Sequence, residues 1–417
     1  MKRFSTFLTE DAQGKNLHLE HLEDEILNFG IGGARGSINF LRSLRDMMAG
    51  NSRTSINMTV KWDGAPAIFA GIDPADGKFF VAKKGVFNKT PLLYKTAREI
   101  DSDARLPAPL KPKFKTALTE FSKLGITNVL QGDLMFTSSD LETDRIEGET
   151  YTTFQPNTIV YAIPKGSFLE RKMRAAKIGV VWHTSYKGTT LENMKASFGA
   201  DIRSLRKPSS VWMDDATYKD SSGTATFTKA ETDRITAKLS EVGKQFNKIS
   251  SAELSKFLRI QASFEGKFIG ASVKTYTNSK VRVGQEITNP SAHAKGYLTW
   301  VEEKFDKEAE KLKTEKSQKA IADRKTATLQ DLRKLTGLLE NVIIFQNLLI
   351  SAKMMIVSKL NKIKQLTNTF VRTSNGFKVV NPEGYVAIDR TSGRAVKLVD
   401  RMEFSYNNFT AIKAWDR

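Results

Sequence analysis

Apolar residues recur at helical spacing early in the chain, then switch to alternation after residue 55. Leu17, Leu19, Leu22, Ile26 and Leu27 form one helical stripe, and Ile38, Leu41, Leu44 and Met47 another, separated by Gly30-Ile31-Gly32-Gly33. This predicts two helices over 17–50. Strand patterns follow at Ile56 to Lys61, Ala67 to Ile72 and Phe79 to Ala82, with a turn at Asp73-Pro74-Ala75-Asp76-Gly77, and together they predict a β-meander. Pro107 to Pro112 reads as a linker and Lys113 to Leu124 as a helix. Val129 to Phe136, Ile159 to Ile163 and Lys177 to His183 read as further strands.

Residues 187–370 differ in kind. They are rich in Lys and Glu and helical in period, with amphipathic stretches at Lys229 to Phe246 and Ala252 to Ala262 and a highly charged helix over Trp300 to Lys325. Leu338 to Ile363 is apolar nearly all round, as the buried helix of a bundle would be. Strand periodicity resumes at Val371, with Gly376 to Val380, Gly384 to Asp389 and Ala395 to Val399, the last two joined by a Thr391-Ser392-Gly393 turn. The pattern predicts three parts: a β-rich core with N-terminal helices over 1–186, a mainly helical insertion over 187–370, and final core strands over 371–417.

Composition narrows the function. The chain has 417 residues, with 65 Lys plus Arg against 46 Asp plus Glu, a formal net charge of +19. Such an excess favours a polyanionic partner, most simply nucleic acid. Cysteine is absent, which excludes disulfides, thiolate zinc sites and a cysteine nucleophile and fits a reducing cytoplasm. The N-terminus lacks the apolar core of a signal peptide. The most apolar run, Val342 to Ile350, is interrupted by Gln346 and Asn347 and is too short to span a bilayer. His18 and His21 lie one helical turn apart, a spacing more often found in surface or capping chemistry than at a metal.

The candidate chemistry centres on Val60-Lys61-Trp62-Asp63-Gly64, at the end of a predicted strand. A lysine there could attack the α-phosphate of a nucleoside triphosphate and hold the nucleotide as a phosphoramidate. The attacking amine must be neutral, against an ordinary pKa of ~10.4, and cationic neighbours such as Lys83, Lys84 and Lys397 would favour that form. They would also neutralise triphosphate oxygens. Glu383 is a carboxylate able to hold Mg²⁺ near the α-phosphate or orient the amine, and Asp133 could accept from ribose hydroxyls. Gly64, Gly132 and Gly384 would allow close backbone approach. Trp182 and Tyr161 are the aromatics able to stack on a base.

Taken in order, Lys61-Trp62-Asp63-Gly64, the segment Phe79 to Phe87, Leu130-Gln131-Gly132-Asp133-Leu134, Pro382 to Ala387 and Ala395 to Val399 resemble the motifs of covalent nucleotidyltransferases. This superfamily comprises ATP-dependent polynucleotide ligases and mRNA-capping enzymes, and the likeness is nearest to phage RNA ligases. It covers about 55–200 and 371–400. The resemblance implies an α+β fold: an antiparallel-sheet nucleotidyltransferase core, ATP-grasp-like, with a large helical insertion. It further implies catalytic roles for Lys61 and Lys397, cofactor binding by Asp63, Gly64, Lys83, Lys84, Asp133, Glu383 and Trp182, and metal binding by Glu383 and Asp133. ATP and Mg²⁺ or Mn²⁺ would be the cofactors, RNA or DNA ends the partners, and the cytoplasm (a host's, for a phage protein) the location, with no membrane involved. Three departures stand out. Asp133 replaces a customary Glu, Lys397 lacks the second lysine common in the last motif, and no oligonucleotide-binding barrel is expected after it. The lysine-rich helical stretch would then serve as the substrate platform. The departures also keep open a catalytically degenerate member that binds nucleic acid or builds a phage structure.

Overall fold

The computed structural model describes residues 21–49, 56–88, 90–215, 227–264, 270–361, 368–373, 376–379, 384–389 and 394–402. His18 and Glu383 lie outside these. In chain order the first elements are α1 (Glu25–Met48), β1 (Ile56–Lys61), β2 (Ala67–Ile72), β3 (Phe79–Ala82), α2 (Ala97–Ser102), α3 (Leu110–Phe121) and β4 (Val129–Thr137). Then come β5 (Glu142–Ile146), β6 (Glu149–Phe154), β7 (Ile159–Pro164), α4 (Phe168–Ala175), β8 (Ile178–Lys187), β9 (Lys195–Phe198) and β10 (Val211–Asp214). A helical run follows: α5 (Lys229–Phe246), α6 (Ser251–Ala262), α7 (Val273–Val281), α8 (Pro290–Ala309), α9 (Glu315–Lys334) and α10 (Thr336–Asn361). The chain returns to strands at β11 (Asn368–Thr373), β12 (Gly376–Val379), β13 (Gly384–Asp389) and β14 (Arg394–Leu398).

The result is a mixed α and β fold with antiparallel pairing in all three sheets, as expected; among the described strands β10 alone pairs in parallel, with β8. One sheet has the order β1-β13-β14, a second β10-β8-β4-β2-β3 with β9 on β8, and a third β12-β11-β7-β6-β5. The predicted meander of the first three strands does not form. β2 pairs with β3 and β4, while β1 leaves for β13 at the far end of the sequence. Period-2 alternation gives the face of a strand but not its neighbour, so this pairing was not readable locally.

The helical run begins at Lys229 rather than at 187, because β9 and β10 extend the six-stranded sheet first. The charged stretch expected as one helix is two, α8 and α9, with Thr314 capping the second. The two helices expected over 17–50 are present within the described part: α1 is two helical segments that meet at Gly30, whose backbone is non-helical (φ 60°, ψ −139°). α1 joins the helices in one apolar cluster with α5, α6, α8 and α10, which also takes in Tyr385 and Leu398 from the three-stranded sheet. α10 is long and apolar enough to cross a membrane by length and composition, longer than the 342–350 run suggested. Here it is the bundle's central helix, with Val342, Phe345, Ala352 and Ile356 fully buried.

Buried charge ties the bundle to this sheet. Lys353 of α10, wholly buried, donates to Glu23 Oε2 at 2.8 Å, and Arg401, just past β14, donates to Asp24 Oδ1 at 3.0 Å. Burial alone would raise the Glu23 carboxyl, but Lys353, His21 and Arg401 outweigh it and hold it down to about 2. For Asp24 burial wins over Arg401 and the carboxyl is raised. His21, whose backbone bridges to Lys397, is pushed well below its ordinary value of 6.5, by burial first and then by Arg401, Lys397 and Lys353 against Glu23.

Candidate functional site

Strand register decides which predicted residues share a face. Lys61 pairs with Gly384, and Lys397 pairs with Val386, two residues further along the same strand. Paired residues and residues two apart share a face, so Lys61 and Lys397 lie on one face of the three-stranded sheet. The opposite face carries Tyr385 and Leu398, both buried in the helical cluster. Lys61 is half-buried and Lys397 is buried. Gly384 sits at φ +142°, and a Cβ there would collide with Val399 and stand 2.7 Å from the Leu398 carbonyl.

The segment after Lys61 crosses from this sheet to the six-stranded one. Ala65 N–H donates to the Leu134 carbonyl at 3.1 Å, and Leu134 N–H to the Pro66 carbonyl at 3.1 Å. A Cβ at Gly64 would collide with the Asp133 Cβ and lie 2.9 Å from the Met135 Sδ. Glycine is therefore what lets the segment carrying Lys61 lie directly against Asp133. Gly132 is similarly constrained, with Val181 and Trp182 where its Cβ would be.

Asp63 has a different task from the expected contact with a nucleotide. It is buried, and its carboxylate accepts from Asn157 Nδ2 at 2.7 Å and from the Thr158 and Ile159 backbone N–H groups at 2.8 and 2.9 Å. Its own N–H donates to the Tyr161 hydroxyl at 2.7 Å. Trp62 packs against Tyr161, centroids 5.0 Å apart, and against Trp212. Trp62 and Asp63 thus lock the end of β1 onto the loop before β7, fixing the backbone that presents Lys61.

Neither expected stacking aromatic offers a face to a ligand. Trp182 is 0% exposed, set edge-on against Phe121 of α3 in the core. Tyr161 is 3% exposed, sandwiched between Trp62 and Phe154. The alternation of β8 turns Trp182 inward onto α3.

Asp133 is partly exposed, as a ligand-binding carboxylate must be, and His183 Nε2 stands 3.7 Å from its Oδ1. This histidine was not expected to face Asp133. Gln131 pairs with Thr184 and Gly132 with Trp182, so His183 is the extra residue of a bulge. The bulge turns it onto the Asp133 side, and its Nδ1 meets Thr184 Oγ1 at 2.8 Å. An isolated sequence gives no sign of a bulge, which is why this contact was missed. Lys83, half-buried, and Lys84, exposed, follow directly on β3, two strands from β4. Glu383 directly precedes Gly384 in sequence but lies outside the described residues. Among the described residues no cluster of three or more His, Asp or Glu could by itself hold a metal ion.

A family model, "Family of unknown function (DUF6267)", matches residues 16–413. The chain belongs to this family. No curated protein and no solved structure matches it. Membership in DUF6267 brings no activity with it, so the function has to be argued from the site.

Proposed function

We propose that this member of DUF6267 is an ATP-dependent polynucleotide ligase with a nucleotidyltransferase core, acting on RNA ahead of DNA through a covalent lysyl-AMP intermediate. The observation that carries the reading is the shared face of Lys61 and Lys397, two register steps apart, with Gly64 laying the Lys61 segment against Asp133. Motifs separated by more than 300 residues of sequence meet there.

In this reading Lys61 Nζ attacks the α-phosphorus of ATP and the α–β bridging P–O bond breaks, releasing pyrophosphate. A 5′-phosphate oxygen of the strand then attacks the same phosphorus and frees the lysine. Finally a 3′-hydroxyl attacks the 5′-phosphorus, forming the phosphodiester and expelling AMP. Lys397, fixed on the same sheet face, neutralises charge developing on the transferring phosphoryl group. The Mg²⁺ that such chemistry employs binds through one or two carboxylates together with substrate phosphates and water. Asp133, partly exposed, suits that role; bound there, the ion would neutralise phosphate charge.

The test is incubation of pure protein with α-³²P-ATP and Mg²⁺, then a denaturing gel. We expect a labelled band in the native chain, none in Lys61→Ala and a band reduced at least tenfold in Lys397→Ala. No label in a folded native chain free of pre-bound AMP would overturn the reading. A second reading, a degenerate nucleotidyltransferase that only binds nucleic acid, is favoured by the burial of both Trp182 and Tyr161. It predicts oligonucleotide binding without any label.

A further inference from the structure

Away from the Lys61 sheet, α7 and α8 form a face that combines aromatic rings with unneutralised cations. Trp300 of α8 is half-exposed, and its ring centroid is 5.4 Å from that of Tyr276 on α7. Tyr276 lies in turn 4.7 Å from the His293 ring. Gly296, between His293 and Trp300 on α8, leaves the space the Tyr276 hydroxyl occupies. Lys304 Nζ stands over the Trp300 ring at 4.9 Å and Lys280 Nζ over Tyr276 at 5.3 Å. Both ammonium groups thus rest on π-faces rather than on carboxylates. Arg282 and Val283 beside them are exposed, Val283 at 74%. Glu303 is the acidic group whose charge reaches Tyr276. His293 is held down to about 4 by burial and then by Lys280, and its Nε2 meets Thr277 Oγ1, so it serves as a neutral support for the Tyr276 ring.

The helix that carries Tyr276 and Lys280 is anchored next to the Lys61 sheet. Asn278 of α7 accepts from Arg401 Nη2 at 2.6 Å, and Arg401 closely follows β14. Asn278 lies on the opposite side of α7 from Tyr276 and Lys280, so this bond fixes the helix from behind and leaves the aromatic face turned away from the sheet.

We propose that α7 and α8 form the binding face for single-stranded polynucleotide, with a base stacked on Trp300 and Lys280 and Lys304 on the flanking phosphates. The choice of polynucleotide rests on the ligase reading and on the net charge of +19. Stacking on an aromatic accepts any base, and ammonium groups track the backbone, which is the usual chemistry of single-strand binding. A base arriving on Trp300 takes the ring face that Lys304 covers and moves that ammonium to the adjacent phosphate.

The test is a fluorescence-anisotropy titration of a 5′-fluorescein 12-nucleotide RNA with the full chain, without ATP, at several NaCl concentrations. We expect Trp300→Ala to weaken binding about tenfold with the salt slope unchanged. Lys280→Glu/Lys304→Glu should weaken it further and reduce the slope by about 1.4, at ~0.7 per phosphate contact on a single strand. Trp300→Phe should retain most of the affinity. Variants with native circular dichroism and melting that bind within twofold of the native chain would overturn the proposal, as would failure of the native chain to bind. Either result would leave the face to an acidic protein surface. Labelling by α-³²P-ATP in the same variants separates the two ideas: it should persist in all of them. Its absence in a native chain that binds RNA through this face would overturn ligation but not the face.

Discussion

Lys61, Asp63 and Gly64 are neighbours with separable duties. Lys61 is half-buried at the end of β1, so truncating it should cost little stability. Asp63 is buried and satisfies three donors, two of them backbone N–H groups with no water to turn to. Asp63→Ala should therefore destabilise the fold by about 3 kcal/mol, at ~1–3 kcal/mol for each stranded buried donor. Gly64→Ala, which drives a methyl into Asp133 and Met135, should cost about 1–3 kcal/mol as an overpacked site. Urea midpoints of the three variants would reveal the pattern. Equal losses for Lys61→Ala and Asp63→Ala would refute this division of labour. The sequence revealed that Lys, Asp and Gly belong together but not which was structural. A carboxylate reads the same whether it meets a nucleotide or the amides of the loop at 157–159. Trp182 misled for a related reason: β8 is buried on both faces from Ile178 to Trp182, so no polar alternation marks the side that faces α3.

At the scale of elements, local signals served well where one element decides its own fate. The bounds of Ile56–Lys61, Ala67–Ile72, Lys229–Phe246 and Gly384–Asp389 follow directly from periodicity and capping residues such as Thr228. What failed depends on partners: the destination of β1, the return of β9 and β10 to the sheet, and the bulge at His183. The buried cluster joining the turn before α1, α10 and Arg401 likewise brings together residues more than 300 positions apart. It should make stability depend on pH, with a sign that can be worked out. The His21 pKa is lowered in the fold, by burial foremost, so only the unfolded chain takes up its proton as pH falls through about 6.5. Stability is then lost on acidification, by up to ~1.4 kcal/mol per pH unit for one group. Glu23, held at about 2 against an ordinary 4.5, adds a loss in the same direction between those values. Asp24, raised by burial, works the other way. The stability of the native chain relative to His21→Gln should therefore fall between pH 7 and pH 5. A difference that stays constant over that range would dissociate His21 from the pH response.

For the whole molecule, net charge and the nucleotide site make different demands on salt. An excess of 19 positive charges acts on a polymer through counterion release, which is steeply salt-dependent. The chemistry assigned to Lys61 engages one nucleotide at a site where the segment after β1 lies against Asp133, and partly buried charges there are screened less. Raising NaCl from 50 to 200 mM should thus leave lysyl-AMP formation nearly unchanged at saturating ATP. Binding of single-stranded RNA should drop about 50-fold if four phosphates are contacted, at ~0.7 in slope per contact. Ligation under subsaturating RNA should follow the binding curve rather than the labelling curve. That divergence would come from the architecture itself: a β-sheet site holding Lys61, and a helical bundle carrying cations tied to it through Lys353 and Arg401. Labelling and RNA binding that fall together with salt would instead mean that one surface serves both, and would place the polynucleotide on the Lys61 sheet rather than on α7 and α8.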